Sequence, residues 1–142
     1  MTRILIADDN QANAELLEAH LDGSGLETRI AMNGEQTLQL AKDWPADVVL
    51  LDIMMPKLSG FEVCKRLRAD GATKDIGVLM VTALDRATDV ERAVEVGTDD
   101  FLTKPINKAE LLHRIRAIVA ARTAASPIER GLAYLRGVQQ GV

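Results

Sequence analysis

Four short apolar runs in this chain each stop at a polar residue. Ile4-Leu5-Ile6-Ala7 leads into Asp8-Asp9, Val48-Val49-Leu50-Leu51 into Asp52, Val78-Leu79-Met80-Val81 into Thr82, and Phe101-Leu102-Thr103 into Lys104-Pro105. Unbroken apolar runs bounded by polar residues are the pattern of strands buried on both faces of a parallel sheet. A fifth run, Glu27-Thr28-Arg29-Ile30, is the least apolar and reads as an edge strand. The strands are placed at residues 3–7, 27–31, 47–51, 77–81 and 99–103. Between and after them lie amphipathic stretches near 11–22, 34–43, 60–69, 87–96 and 108–121. On the last of these, Leu111, Leu112, Ile115, Ile118 and Val119 recur at the helical period. Helix starts are marked by Asn33 with Gln36, Ser59 with Glu62 and Asn107 with Glu110. Gly25 and Gly97 stand just past helices, where a left-handed residue is needed.

Strict alternation of strand and helix predicts an α/β fold. It has a five-stranded parallel sheet, doubly wound, with helices on both faces and right-handed crossovers. The expected arrangement is the flavodoxin-like (βα)5 fold, strand order 2-1-3-4-5, with the third and fourth strands central. Residues 1–122 form this domain. Residues 123–142 form a tail that begins at a short break, Thr123-Ala124-Ala125-Ser126. Ser126-Pro127-Ile128-Glu129 signals a further helix, and Ile128, Leu132, Leu135 and Val138 would line one face of it. Gly131 and Gly137 weaken that helix. The tail either packs on its own domain or a partner, continues as a linker to an output domain, or frays.

Composition narrows the function classes. A chain of 142 residues with 47% hydrophobic and 27% charged residues fits one globular domain with a real core. A net charge of −4 argues against direct nucleic-acid binding. Cys64 is the single cysteine, so no internal disulfide forms, and a reducing, cytoplasmic setting is expected. Met1-Thr2-Arg3 lacks the layout of a signal peptide, and no apolar stretch is long enough for a membrane span.

The strand ends define the chemistry. In an open parallel sheet, ligands bind beyond the carboxyl ends of the strands. Asp8, Asp9, Asp52, Thr82 and Lys104 should therefore meet at one edge. Three carboxylates together call for a cation, and hard oxygen ligands suit Mg²⁺. Lys104 and Thr82 are placed to hold an anion, and Asp52 is the central nucleophile. Together these are the parts needed to form an acyl phosphate on Asp52.

These residues resemble the receiver domain of bacterial two-component response regulators, over about residues 2–121. Asp8-Asp9 match the family's acidic pair and Asp52 its phosphoacceptor. Met55-Pro56 with Gly60 match its following loop, Thr82-Ala83 its hydroxyl and small residue, and Lys104-Pro105 its lysine and usually cis proline. The spacings also fit: Thr82 lies 30 residues beyond Asp52, and Lys104 22 beyond Thr82. The resemblance implies that Asp9, Asp52 and the Met54 backbone carbonyl bind Mg²⁺, with Asp8 acting directly or through water. It implies that Thr82 and Phe101 are switch residues that repack the face made by helix four, strand five and helix five. It also implies a sensor histidine kinase or histidine phosphotransfer protein as donor. Downstream it implies a separate protein or a fused output domain, and a homodimer formed on phosphorylation. Met54 and Leu84, two residues beyond Asp52 and Thr82, would flank the approach of hydrolytic water. The receiver is not an enzyme on other substrates; it catalyses only its own aspartyl phosphorylation and dephosphorylation. The wording of residues 52–56, 60–64 and 100–106 is similar to the first receiver of PleD-type diguanylate cyclase regulators.

Each residue also has a plainer reading. Asp8-Asp9 could be solvated turn residues, Lys104 an exposed lysine and Thr82 a strand-favouring residue. Phe101 could be core packing as well as a switch. His20 and His113 read as surface or packing residues, Cys64 as a small buried hydrophobe, and Trp44 as packing at the end of the second helix. Other activities fit less well. A haloacid-dehalogenase-type phosphatase wants a second carboxylate where Met54 stands. A flavodoxin would not set Asp8-Asp9 against a phosphate. A passive pseudo-receiver would not need the complete set, while a receiver fragment of a diguanylate cyclase regulator remains an alternative organisation.

Overall fold

The computed structural model describes residues 1–122 together with Leu135 and Val138. Apart from those two residues, the expected tail lies outside the described residues. The elements are β1 (Arg3–Ala7), α1 (Gln11–Leu21), β2 (Glu27–Ala31), α2 (Gly34–Asp43), β3 (Val48–Leu51), α3 (Gly60–Ala69), β4 (Gly77–Thr82), α4 (Ala87–Glu95), β5 (Asp100–Thr103) and α5 (Lys108–Ala121). All strands pair in parallel, in the order β2-β1-β3-β4-β5. This is the expected flavodoxin-like arrangement. β2 is an edge strand, exposed at Glu27 and Arg29. Among the described residues no helix is long and apolar enough to cross a membrane.

Side chains alternate across each strand, so every inner strand feeds two cores. On one face Leu5, Val49, Leu51, Val78 and Met80 meet Ala41 and Trp44 at the end of α2 and Val63, Cys64 and Leu67 of α3. On the other, Ile4, Ile6, Leu50 and Leu79 meet Leu17 of α1 and Leu111, Ile115 and Ile118 of α5. β3 and β4 are buried at every position because both faces are covered. Cys64 is fully buried, as expected of a small hydrophobe, and burial pushes its thiol up to about 11. Trp44 is 5% exposed and caps α2 at the end of the sheet where β1 begins. The guanidinium carbons of Arg3 and Arg29 lie 5.4 and 5.0 Å from its ring centroid, a double cation–π contact.

The predicted helix starts are built from side-chain caps. Asn33, Ser59 and Asn107 accept hydrogen bonds from the amides of Gln36, Glu62 and Glu110. Asn10 does the same for Asn13 at the start of α1. The Met32 amide, one residue before the cap, donates to Gln36 Oε1 at 2.6 Å. Gly25 and Gly97 take the left-handed conformation, φ 79° and 94°, and so does Gly23. Lys57 does so too, at φ 68°, in the loop after β3. Nothing in the sequence signals a left-handed lysine.

That loop returns closely on itself. The Gly60 amide donates to the Ile53 carbonyl at 2.9 Å. A Cβ on Gly60 would run into the Asp52 carbonyl oxygen and come within 2.7 Å of Ile53 Cα. Only glycine lets α3 begin against the backbone of Asp52. At the opposite end of the sheet, Asp99 is a charged hub. Its Oδ2 accepts from the Val78 amide at 2.7 Å and from Arg68 Nη2 at 3.0 Å, and its Oδ1 pairs with Arg122 Nη1 at 3.3 Å. Arg68 also donates to the carbonyls of Gly97 and Lys74, at 2.9 and 2.8 Å. The hub ties the ends of α3 and α5 to β4 and β5.

Two substitutions test this packing. Asp99→Ala removes the carboxylate partner of two guanidinium groups and the side-chain acceptor of the Val78 amide, so unfolding free energy should fall by about 2 kcal/mol. Urea denaturation would read this as a lower midpoint at unchanged slope. Gly60→Ala should also lower the urea midpoint, by an amount equivalent to about 1–3 kcal/mol of overpacking. In amide NMR spectra it should displace Asp52 and Ile53 while leaving β2 unmoved.

Candidate functional site

The sheet register assembles the site. β1 and β3 pair Ala7 with Leu51, so the next residues, Asp8 and Asp52, emerge side by side. The Asp52 amide extends the ladder by donating to the Ala7 carbonyl at 2.9 Å. β4 and β5 pair Thr82 with Thr103, and the Lys104 amide donates to the Thr82 carbonyl at 2.8 Å. The carboxyl ends of β1, β3, β4 and β5 therefore deliver polar side chains to one edge.

Asp8 is buried and Asp52 nearly so, at 1% and 8% exposure, whereas Asp9 is exposed. One carboxylate oxygen from each of the three lies within 4.8 Å of the others. Lys104 is half-buried, and its Nζ donates to Asp8 Oδ2 at 2.9 Å and to Asp52 Oδ2 at 3.2 Å. Burial works against its charge, but its bonds and proximity to Asp8 and Asp52 outweigh this, and its pKa lies above the ordinary lysine value. Three carboxylates against one ammonium leave a local excess of negative charge. The donor set is all hard oxygen, which fits Mg²⁺.

The remaining predicted residues surround this group. Thr82 is the last residue of β4 rather than the first beyond it, and is fully buried. Its Oγ1 accepts from the Leu84 amide at 3.3 Å, so its hydroxyl proton can be directed elsewhere. Met54 turns its side chain outward, 61% exposed, and its amide donates to Asp52 Oδ1 at 3.1 Å. Phe101 is the second residue of β5 and half-buried against the α3-side core. The Lys104–Pro105 peptide is cis.

Two features were not foreseen. Backbone amides hold the carboxylates: Asn10 N–H donates to Asp8 Oδ1 at 2.9 Å, as Met54 N–H does to Asp52. Backbone donors carry no residue-type signal in a sequence. A groove of about 340 Å³ opens beside Lys104, between Leu16, Leu17 and His20 of α1 and Pro105 and Ile106 after β5. Leu16 is 57% exposed there. It could have been noticed as an apolar residue off the buried stripe of α1.

Comparison with known proteins places this arrangement. A family profile described as "Response regulator receiver domain" matches residues 4–116. The chain is 43% identical over 119 residues to the DNA-binding dual master transcriptional regulator RpaA of Synechocystis sp., covering 84% of this chain and 49% of that protein. It is 45% identical over 117 residues to the response regulator PleD of Caulobacter vibrioides, covering 82% of this chain and 26% of that protein. The chain thus spans half or less of the length of these relatives. A putative response regulator from Chloroflexus aurantiacus superposes with a TM-score of 0.80 at 36% identity, covering 84% of this chain and 98% of that one. The receiver domain of the sensor histidine kinase PA1611 from Pseudomonas aeruginosa, solved with a magnesium ion coordinated in its active-site cleft, superposes at 0.77 with 27% identity, covering 83% and 97%. With the fold, the strand-end residues and these matches in agreement, the chain belongs to the response regulator receiver family of two-component systems.

Proposed function

We propose that residues 1–122 form a receiver domain that accepts a phosphoryl group on Asp52 from a phosphohistidine donor, with Mg²⁺ as cofactor. The observation that carries this reading is Lys104 bound to both Asp8 and Asp52 at the carboxyl edge of the sheet. An Asp52 carboxylate oxygen attacks phosphorus, the donor's N–P bond breaks, and the imidazole leaves with the electron pair. Asp9, Asp52 and the Met54 carbonyl would hold Mg²⁺, with Asp8 acting directly or through water. Bound there, the cation supplies charge neutralisation for the carboxylates and the phosphoryl oxygens. Lys104 exchanges part of its contact with Asp52 for a phosphoryl oxygen, and the Thr82 hydroxyl donates to another. In hydrolysis, water attacks phosphorus, the bond to Asp52 breaks, and the carboxylate is regenerated with release of inorganic phosphate.

The donor, a sensor histidine kinase or a histidine phosphotransfer protein, would seat a helix in the groove beside Lys104, next to the acceptor. Movement of Thr82 and Phe101 would then remodel the face of α4, β5 and α5. That face would pass the signal to a downstream protein or a fused output domain, with self-association as one route. Residues 123–142 would serve as the connecting tail. The setting is cytoplasmic, and the chemistry is confined to the domain's own aspartate.

With acetyl phosphate and Mg²⁺, the wild-type protein should gain one acid-labile phosphoryl group, read by intact mass, and Asp52→Asn none. Chelation of Mg²⁺ should abolish labelling; equal labelling of wild type and Asp52→Asn would overturn the assignment. Met54 and Leu84 offer water neither a hydrogen bond nor an easy path to phosphorus. Met54→Asn/Leu84→Glu keeps the Met54-position carbonyl and adds polar groups that can orient water. Its phosphoryl group should be lost about tenfold faster, a barrier change of about 1.4 kcal/mol, in a radiolabel decay assay.

A further inference from the structure

α4 is attached to the domain unequally along its length. None of residues 87–92 is fully buried, Asp89 is half-buried, and Ala93 is the helix's one buried residue. Val90 and Val94 are 40% and 69% exposed. Three side-chain tethers reach its C-terminal end. The Arg92 guanidinium lies over the Phe61 ring, 4.6 Å from the centroid. The Cys64 thiol donates to the Val96 carbonyl at 3.3 Å. Arg68 Nε donates to the Gly97 carbonyl at 2.9 Å, and its Nη2 holds Asp99. Phe61, Cys64 and Arg68 stand at i, i+3 and i+7 on α3, so they form one stripe along that helix. The base of the stripe is fixed, because α3 starts at Gly60 against the Asp52 carbonyl. The other end of α4 is entered from Leu84, whose amide bonds the Thr82 hydroxyl oxygen.

We infer that α4 pivots about its C-terminal end, with the Phe61–Cys64–Arg68 stripe of α3 as the hinge, when the loop between β4 and α4 moves. This deepens the reading of Thr82 as the residue that responds to Asp52. A helix end with little buried surface moves at low cost, whereas the tethered end must lose a cation–π contact and two hydrogen bonds. The pivot turns a displacement at Thr82 into a tilt of the surface that carries Val90 while residues 94–98 stay in place.

Amide NMR on the full chain, with and without Mg²⁺ and beryllofluoride, tests this. In the wild type, beryllofluoride should shift amides 84–91 strongly and 94–98 little. In Arg92→Met/Cys64→Ala, the response should spread to 94–98. Hydrogen exchange at the Val96, Gly97 and Thr98 amides should rise about threefold or more, the effect of losing such contacts. Exchange at Leu50 in central β3 reads the global destabilisation from trimming the buried Cys64, and the rise at 96–98 should exceed it, which separates the hinge from a general loss of stability. Equal shifts at both ends of α4 in the wild type, or unchanged exchange at 96–98 in the variant, would overturn the hinge. If beryllofluoride leaves the Thr82 and Leu84 amides unmoved, the phosphoacceptor reading fails, and the exchange comparison alone decides the hinge.

Discussion

The repulsion between Asp8 and Asp52 is the constraint around which the carboxyl edge of the sheet is arranged. Parallel pairing of β1 with β3 forces the two carboxylates together, in surroundings with little water to screen them. Lys104 answers this from β5, on the far side of β4, and can do so only if β3, β4 and β5 keep their register. Two backbone amides complete the satisfaction of the carboxylate oxygens. The fold and the site are therefore one electrostatic problem. The apolar strands fix the register, the register concentrates negative charge, and a lysine from the end of β5 holds that charge.

The rest of the molecule keeps that edge in place from a distance. Gly60 seats α3 against the backbone of Asp52, and the Asp99 hub clamps the opposite end of β4 and β5 to α3 and α5. The sheet is thus fastened at both ends by polar groups and in the middle by two apolar cores. α4 is the exception, held chiefly along one side of one end.

Much of this was legible in the sequence because the signals were strong and local. The runs ending at Asp8, Asp52 and Lys104 mark strand ends, and order on the sheet follows from alternation with helices. Asn33, Ser59 and Asn107 announced helix starts by residue type, and each caps as expected. What could not be read depends on atoms that every residue shares or on distant encounters. The amides of Asn10 and Met54 act through backbone position alone. The left-handed Lys57 runs against its residue preference and reflects the tight return from Asp52 to Gly60. Arg68, Asp99 and Arg122 lie far apart along the chain and meet only because α3 and α5 finish at the end of the sheet where β5 begins. Thr82 fell one position from its expected place because the ladder with β5 runs through Thr103.

The placement of Trp44 gives the molecule a built-in optical division of labour. The chain's one indole sits where β1 begins, in contact with the guanidinium groups of Arg3 and Arg29, while the acidic edge lies where β1 ends. A strand of five residues separates them, roughly 16 Å at the usual rise per residue. Intrinsic emission is therefore a gauge of whether the β2 edge and α2 are folded, and largely blind to what occupies the far edge. Global unfolding can therefore be followed by Trp44 emission in an unmodified sample.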